Sequence, residues 1–337
     1  MPELITDEIM IDAAHADDIL SSLRPPPTIT GSEWANSKRI LSKEDSAEPG
    51  RYSTERAPFQ KEPMDEITDP FNEEVVLVWS AQIGKTLIAT NTLGYYIDQD
   101  PSPIMYVIET LAKAENFSKA RLDPMIRDND WLKIDRKTKS SNNTILEKSY
   151  PGGYLSIVGA NSAAGFTSKP IRILILDEID NYPPSAGTMG SPVDLAIQRT
   201  ETFDNKKILK ISSPGTEGMS QIWPAYLGTD QRKYHVPCIH CGFPQELVFT
   251  QLKFPDRIPE NCYYECINCK GKLEEKDKFR MIEAGSWVKT FPDIIHKPGF
   301  HLSRLYSIFS PWSKMVDEFM KAKKKADAGD TKSLQVF

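Results

Sequence analysis

Residues 79–86 read WSAQIGKT, and the fold turns on whether that stretch grips phosphate. A phosphate-binding loop is written G-x-x-x-x-G-K-[ST]. Here Trp79 stands at the first glycine position, while Gly84, Lys85 and Thr86 keep the second half of the pattern. The flanks favour the functional reading: VVLV at 75–78 predicts a buried strand running in, and TLIATNTLGYYIDQ at 86–99 predicts a helix running out. In such a strand, turn and helix, the backbone N–H groups of Ser80, Ala81, Gln82, Ile83 and Gly84 face the phosphates. Lys85 then neutralises the terminal oxygens, and the Thr86 hydroxyl ligates magnesium. Without its first glycine the turn needs support from a second site, because Trp79 or Ser80 must make the bend instead.

IRILILDEID at 171–180 supplies that site. Four apolar residues end in Asp177 and Glu178, and a buried parallel strand delivers its last side chains to the carboxyl edge of the sheet, where open α/β sheets bind ligands. Asp177 is expected to hold hydrated magnesium opposite Thr86, and Glu178 to orient and deprotonate the attacking water. Either carboxylate alone would read as an acidic helix cap. A third run, KILKISSPGTEG at 207–218, ends in Ser212, Ser213 and Thr216, small hydroxyls placed to sense a γ-phosphate or simply to make a turn.

Apolar runs at 75–80, 104–109, 153–159, 171–178 and 206–213 alternate with helical stretches at 86–99 and 111–127. The class is α/β: a mostly parallel central sheet with helices on both faces. Residues 1–70, broken by prolines, read as an N-terminal arm with short helices such as 32–41. Residues 71–230 read as the core, 231–280 as a small subdomain, and 281–337 as a C-terminal helical segment.

All five cysteines fall within 238–269. HVPCIHCG and YECINCKG each carry C-x-x-C followed by glycine, and two such knuckles make a tetrahedral Cys₄ zinc site of Cys238, Cys241, Cys266 and Cys269. With no open coordination position this zinc is expected to be structural, with His240 and Cys262 as bystanders. The chain has 337 residues, 39% apolar content and a net charge of −6, which permits a large core and allows nucleic-acid binding only through a local basic surface. No apolar run approaches the ~20 residues of a membrane helix, and the N-terminus lacks the features of a signal peptide, so a cytoplasmic location is expected.

These stretches together resemble the large terminase subunit of tailed phages, the lambda-like GpA family. SEWANSKRILSKEDSAEPGRYSTERAPFQKEPMDEITDP (32–70) is similar to that family's arm, and WSAQIGKT to its deviant Walker A. GANSAAGFTSKPIRILILDEID resembles the stretch ending in Walker B, SSPGTEG the coupling motif, and GTDQRKYHVPCIHCGFPQ the entry to a cysteine-paired insertion. The resemblance implies a RecA/ASCE-type P-loop ATPase that pumps double-stranded DNA into a procapsid. It would act as a homo-oligomeric ring on the portal protein, with a small terminase subunit as partner. It implies ATP, Mg2+ and structural Zn2+ as cofactors. An arginine inside Walker A is absent here, where Ala81 and Gln82 stand, so an arginine finger is expected from elsewhere, with Arg199 in DLAIQRTETF the candidate. The family's C-terminal nuclease domain is not expected in a chain that stops at KSLQVF, and no DNA cleavage is expected from it. DNA contacts would go to the backbone, with Lys119, Arg121, Arg127, Lys133, Arg136, Lys137 and Lys139 as candidates and a steep salt dependence. The rivals are a superfamily 2 helicase or remodeller, which would need arginine-bearing motifs in a second lobe, and a non-hydrolysing zinc-ribbon DNA-binding scaffold, which would not need Glu178.

Overall fold

A computed structural model describes residues 29–44, 46–134, 143–167, 169–215, 218 and 220–329. Among the described residues the main sheet has ten strands: β1 (Glu74–Trp79), β2 (Ile104–Ile108), β3 (Glu147–Tyr150), β4 (Gly153–Gly159), β5 (Ile173–Asp177), β6 (Lys207–Ser212), β7 (Arg232–Pro237), β8 (Pro244–Glu246), β9 (Ser286–Val288) and β10 (Gly299–Leu302). They lie in the order β8-β7-β10-β1-β6-β5-β2-β4-β3, with β9 along the other side of β7. From β7 through β10 to β4 every neighbour is parallel, and β3, β8 and β9 run antiparallel at the margins.

The central strands are buried on both faces, which is why EVVLVW, IMYVI and ILILD read as continuous apolar runs. Their alternation still sorts the core into two layers. Val75, Leu77, Trp79, Tyr106 and Ile175 face the helix Lys85–Asp98 and the arm, where Ile88, Leu93, Tyr96, Trp34, Phe59 and Met64 pack against them. Val76, Val78, Val107 and Leu176 face the helices Pro192–Gln198 and Ile222–Leu227 through Ala196, Ile222 and Tyr226.

The expected arm is real in part. Its helix runs Gly31–Lys38, not 32–41, and starts on a capping box in which Thr30 and Glu33 satisfy each other's backbone N–H groups. A second helix, Lys61–Thr68, follows. The long helix expected at 111–127 is three pieces, Leu111–Phe117, a π-helical turn Ser118–Leu122, and Asp123–Asp128.

A core ending at 230 must be corrected. β7 and β8 lie inside the expected small subdomain, and β9 and β10 inside the expected C-terminal helical segment, yet all four join the main sheet. β10 is the direct neighbour of β1. What projects from the sheet is a three-stranded sheet of Leu252–Lys253, Tyr263–Glu265 and Lys272–Leu273, with the cysteine turns beside it. The terminal helix is Trp312–Asp327. Among the described residues no helix is long and apolar enough to cross a membrane.

Candidate nucleotide site and cysteine centre

β1 carries the turn at its carboxyl end, and Trp79 is still strand. It pairs with Leu302, and its buried indole stacks on Trp287 at 6.2 Å and meets Phe59 edge-on at 5.7 Å. The bend therefore begins after Ser80, whose N–H donates to the Leu302 carbonyl at 3.0 Å, and a first glycine is not needed at 79. Ile83 is buried and pins the turn to the core. Gly84 caps the helix Lys85–Asp98 in the left-handed region (φ 96°), and a Cβ there would lie 2.1 Å from Gln60 Nε2. Glycine is required at 84 for both reasons.

Lys85 is buried, and its ammonium donates to the Trp79 carbonyl at 3.0 Å and to the Ser213 hydroxyl, and pairs with Glu178 Oε1 at 3.1 Å. Burial pushes its pKa down, and the Glu178 carboxylate opposes that shift. Ser212 sits opposite Val78 and Ile211 opposite Asp177, so the ends of β1, β6 and β5 reach one edge together.

Asp177 is buried there, and burial raises its carboxyl to about 6, against the pull of the Tyr106 hydroxyl, which donates to Oδ2 at 2.8 Å. Its other oxygen, Oδ1, is buried with no hydrogen-bond partner among the described residues. An orphaned carboxylate oxygen at this edge fits a divalent cation shared with half-buried Thr86, since burial without a partner is otherwise unfavourable. Glu178 leaves the strand in the left-handed region (φ 57°, ψ 51°), which turns its partly exposed side chain toward Lys85.

A cleft of about 570 Å³ opens from this edge toward the arm, lined in part by Tyr52, Gln60, Lys85, Thr86, Arg121 and Glu178. Gln60 is buried, and its Oε1 accepts from the Tyr52 hydroxyl at 2.8 Å. Neither residue carried a sequence signal, because the arm reaches the cleft only through tertiary packing. Arg121, expected among DNA contacts, lines this cleft from the π-helical turn, and its charge favours the ionised form of Asp177.

Arg199 is not brought to its own cleft. Its carbonyl accepts from Ile171 N–H at 2.9 Å, which places it at the amino end of β5, opposite Asp177. Among the other expected DNA contacts, Arg127 is forked onto Glu44 at 2.8 Å and Asp128 at 2.7 Å, and Lys119 lies 3.8 Å from Glu115, so acids offset these cations. Lys133 is exposed. Thr216, Arg136, Lys137 and Lys139 lie outside the described residues.

The four cysteines converge as their spacing requires: their sulfurs all lie within 4.8 Å of one another. Cys238 to Cys269 and Cys241 to Cys266 are both 3.8 Å, and a tetrahedral ion with metal–sulfur bonds of about 2.3 Å sets its ligands about 3.8 Å apart. The donor set and its size fit zinc. Each knuckle closes alike, with Cys238 N–H on the Phe243 carbonyl at 2.9 Å and Cys266 N–H on the Gly271 carbonyl at 3.0 Å. The two glycines differ in purpose. Gly242 is left-handed (φ 71°), whereas Lys270 takes that conformation in the second knuckle (φ 59°), and Gly271 is small because a Cβ would lie 2.7 Å from the His240 ring. His240 is thus more than a bystander: its Nε2 bonds to the Lys272 carbonyl at 2.8 Å and ties one knuckle to the other.

A mostly parallel sheet that brings a glycine-lysine-threonine turn beside two carboxylates defines the class as an α/β protein with a candidate nucleotide site at the sheet edge. A family model described as "Phage terminase large subunit gpA, ATPase domain" matches residues 46–287, and the chain belongs to that family. It is 28% identical over 345 residues to "Terminase, large subunit" of Escherichia phage lambda, covering 94% of this chain and 53% of that protein. With the protein of the same description from Enterobacteria phage P21 it is 28% identical over 341 residues, covering 92% and 52%. The chain therefore spans about half the length of these relatives. Among solved structures, the HK97 bacteriophage large terminase matches with TM-score 0.42 and 16% identity over 55% of this chain and 38% of that one. The Thermus phage P74-26 large terminase ATPase domain matches with TM-score 0.42 and 12% identity over 80% and 89%. At these scores neither likeness bears on the reading of the site.

Proposed function

We propose that this chain is the ATP-hydrolysing motor part of a phage DNA-packaging terminase, with a P-loop core of the RecA/ASCE type. One observation carries the reading: the Lys85–Thr86 turn and the Asp177–Glu178 pair meet at one sheet edge, with β6 inserted between their strands. ATP phosphates would lie on the N–H groups of residues 80–84, with Lys85 on the β and γ oxygens. Thr86 and Asp177 would hold magnesium, which when bound offsets the charge of the phosphates. The base would enter the cleft toward Gln60, whose Nε2 faces Gly84.

Lys85 now pairs with Glu178, and a γ-phosphate would draw the ammonium away and leave the carboxylate as a base. Glu178 then takes a proton from water as the water oxygen bonds to the γ-phosphorus. The bond to the β–γ bridging oxygen breaks, and ADP and phosphate leave. Ser212 and Ser213 would report that loss, and Thr216 is proposed to join them. Zinc would sit on Cys238, Cys241, Cys266 and Cys269 as a structural ion. Double-stranded DNA, a portal protein and a small terminase subunit are the proposed partners, in a ring in which Arg199 is available only to a neighbouring subunit's cleft.

The test is steady-state hydrolysis of Mg-ATP with and without linear duplex DNA. The wild-type chain should turn over and be stimulated by duplex, and Glu178→Gln should lose at least about a hundredfold in kcat while still binding nucleotide. Turnover in Glu178→Gln equal to wild type overturns the assigned base, and failure of the wild type to bind Mg-ATP overturns the site.

A further inference from the structure

Asp180 lies two residues past Glu178, on the short 3₁₀ segment Ile179–Asn181, and has no role in the chemistry above. Its half-buried carboxylate accepts three backbone N–H groups: Gly215 on Oδ2 at 2.6 Å, and Gln221 and Ile222 on Oδ1 at 2.8 Å each. Its own N–H donates to the Ser212 hydroxyl at 3.2 Å, and Ser212 is fully buried at the end of β6. One side chain therefore holds both ends of the segment that leaves β6 and enters the helix Ile222–Leu227. Gly215 has no Cβ where one would come within 3.2 Å of Oδ2, which permits the close approach.

The segment it holds touches the reactive groups at one end. Ser213 meets Lys85 through its hydroxyl, and its N–H points at Glu178 Oε2 from 3.5 Å. At the other end, Trp223 and Tyr226 pack on His301 of β10, with ring centroids 5.8 and 6.0 Å away. β10 pairs with β7, the strand that runs into the cysteine turns. Three N–H donors on one carboxylate make a stiff joint, since charge-assisted hydrogen bonds are about twice as strong as neutral ones.

We propose that Asp180 is a positioning residue that makes the catalytic end of β5, residues 213–215 and the start of the helix Ile222–Leu227 move as one body, so that a change at Glu178 reaches that helix. This rests on the reading of the cleft as an ATPase site. A helix cap with no such role would affect stability and leave turnover alone.

The experiment uses the full chain, Asp180→Asn and Ser212→Ala, the last removing the hydroxyl that ties the Asp180 backbone to the end of β6, with little change in bulk. Three quantities are read: Mg-ATP affinity with a fluorescent nucleotide, kcat, and amide hydrogen exchange over residues 220–228 with and without Mg-ATPγS. Asp180→Asn should bind nucleotide within about threefold of wild type, lose about tenfold or more in kcat, and no longer change its exchange when nucleotide binds. Ser212→Ala should follow in the same direction with a smaller loss. Turnover within about twofold of wild type, or an exchange response that persists in both variants, overturns the inference. If Asp180→Asn fails to fold, Ser212→Ala decides it by the same criteria. A wild-type chain that binds nucleotide without turning over leaves the exchange response to decide. Failure of the wild type to bind Mg-ATP removes the cleft reading and the inference with it, whereas an active wild type beside an unaltered Asp180→Asn removes the inference alone.

Discussion

The cysteine centre and the nucleotide cleft are assembled in opposite ways. Four cysteine sulfurs come from two turns inside residues 238–269, whereas the cleft draws on residues from Leu41 to Phe309. The first site is nearly complete in its own local geometry, and on the zinc reading an ion would close it. The second depends on a sheet, whose strand ends, following helix, π-helical turn and overlying arm each contribute side chains. A local site is lost when one ligand is lost, and a distributed one is weakened by degrees.

The largest expected effect tests the local half. One zinc per chain should be found, and Cys241→Ser or chelation should remove a large part of the about 10–16 kcal/mol that structural zinc contributes to small zinc folds. Residues 238–273 should become protease-sensitive, while Mg-ATP affinity changes by less than about threefold. Nucleotide binding that disappears with the zinc would break the comparison, because the two sites would then stand on one support.

Next comes pH. Because burial raises Asp177 to about 6 in the folded chain, from 3.8 unperturbed, magnesium must displace a proton from it at lower pH. Mg-ATP affinity should fall by up to about tenfold per unit below pH 6, as titration at fixed magnesium would show. For the metal-free chain the sign is reversed. The Asp177 contribution to stability is fully present below 3.8 and lost as pH rises through 6, so acidification across that window should favour folding at this group. Tyr106→Phe removes the hydrogen bond that lowers the value and should move both windows upward. A pH profile unmoved by that change would detach Asp177 from the metal. The smallest effect is at Gln60, where replacement by Ala removes one neutral carboxamide and should weaken nucleotide binding by about threefold to tenfold. No change in affinity would remove the arm from the cleft.

The strands of the nucleotide edge were legible because their burial on both faces writes uninterrupted apolar runs, and Lys85, Asp177 and Glu178 stand at the ends of those runs. The convergence of the four cysteines was legible because two paired, short spacings bring their sulfurs to one place. The position of Arg199 at the amino end of β5 was not legible, because an arginine beside a helix end says nothing about which end of a strand it meets. The boundary at 230 failed for a related reason. β9 and β10 are three and four residues long, and SWV and GFHL carry too few positions to announce strands that a ten-stranded sheet nevertheless recruits. Gln60 and Asp180 act through contacts to backbone or to a glycine far along the chain, and spacing encodes neither.

The pairing of β10 with β1 sets an order of events in the making of this protein. Residues 74–79 leave the ribosome early, but the partner that holds Ser80 arrives only with residues 299–302. Until then one flank of β1 has open N–H and C=O groups and an apolar surface facing water, a template for pairing with another unfinished chain. Contacts of such separation in sequence slow folding. Nascent chains ending before residue 299 should therefore sediment with aggregates or chaperones, and those carrying residues through 302 should be released as folded protein able to hold nucleotide.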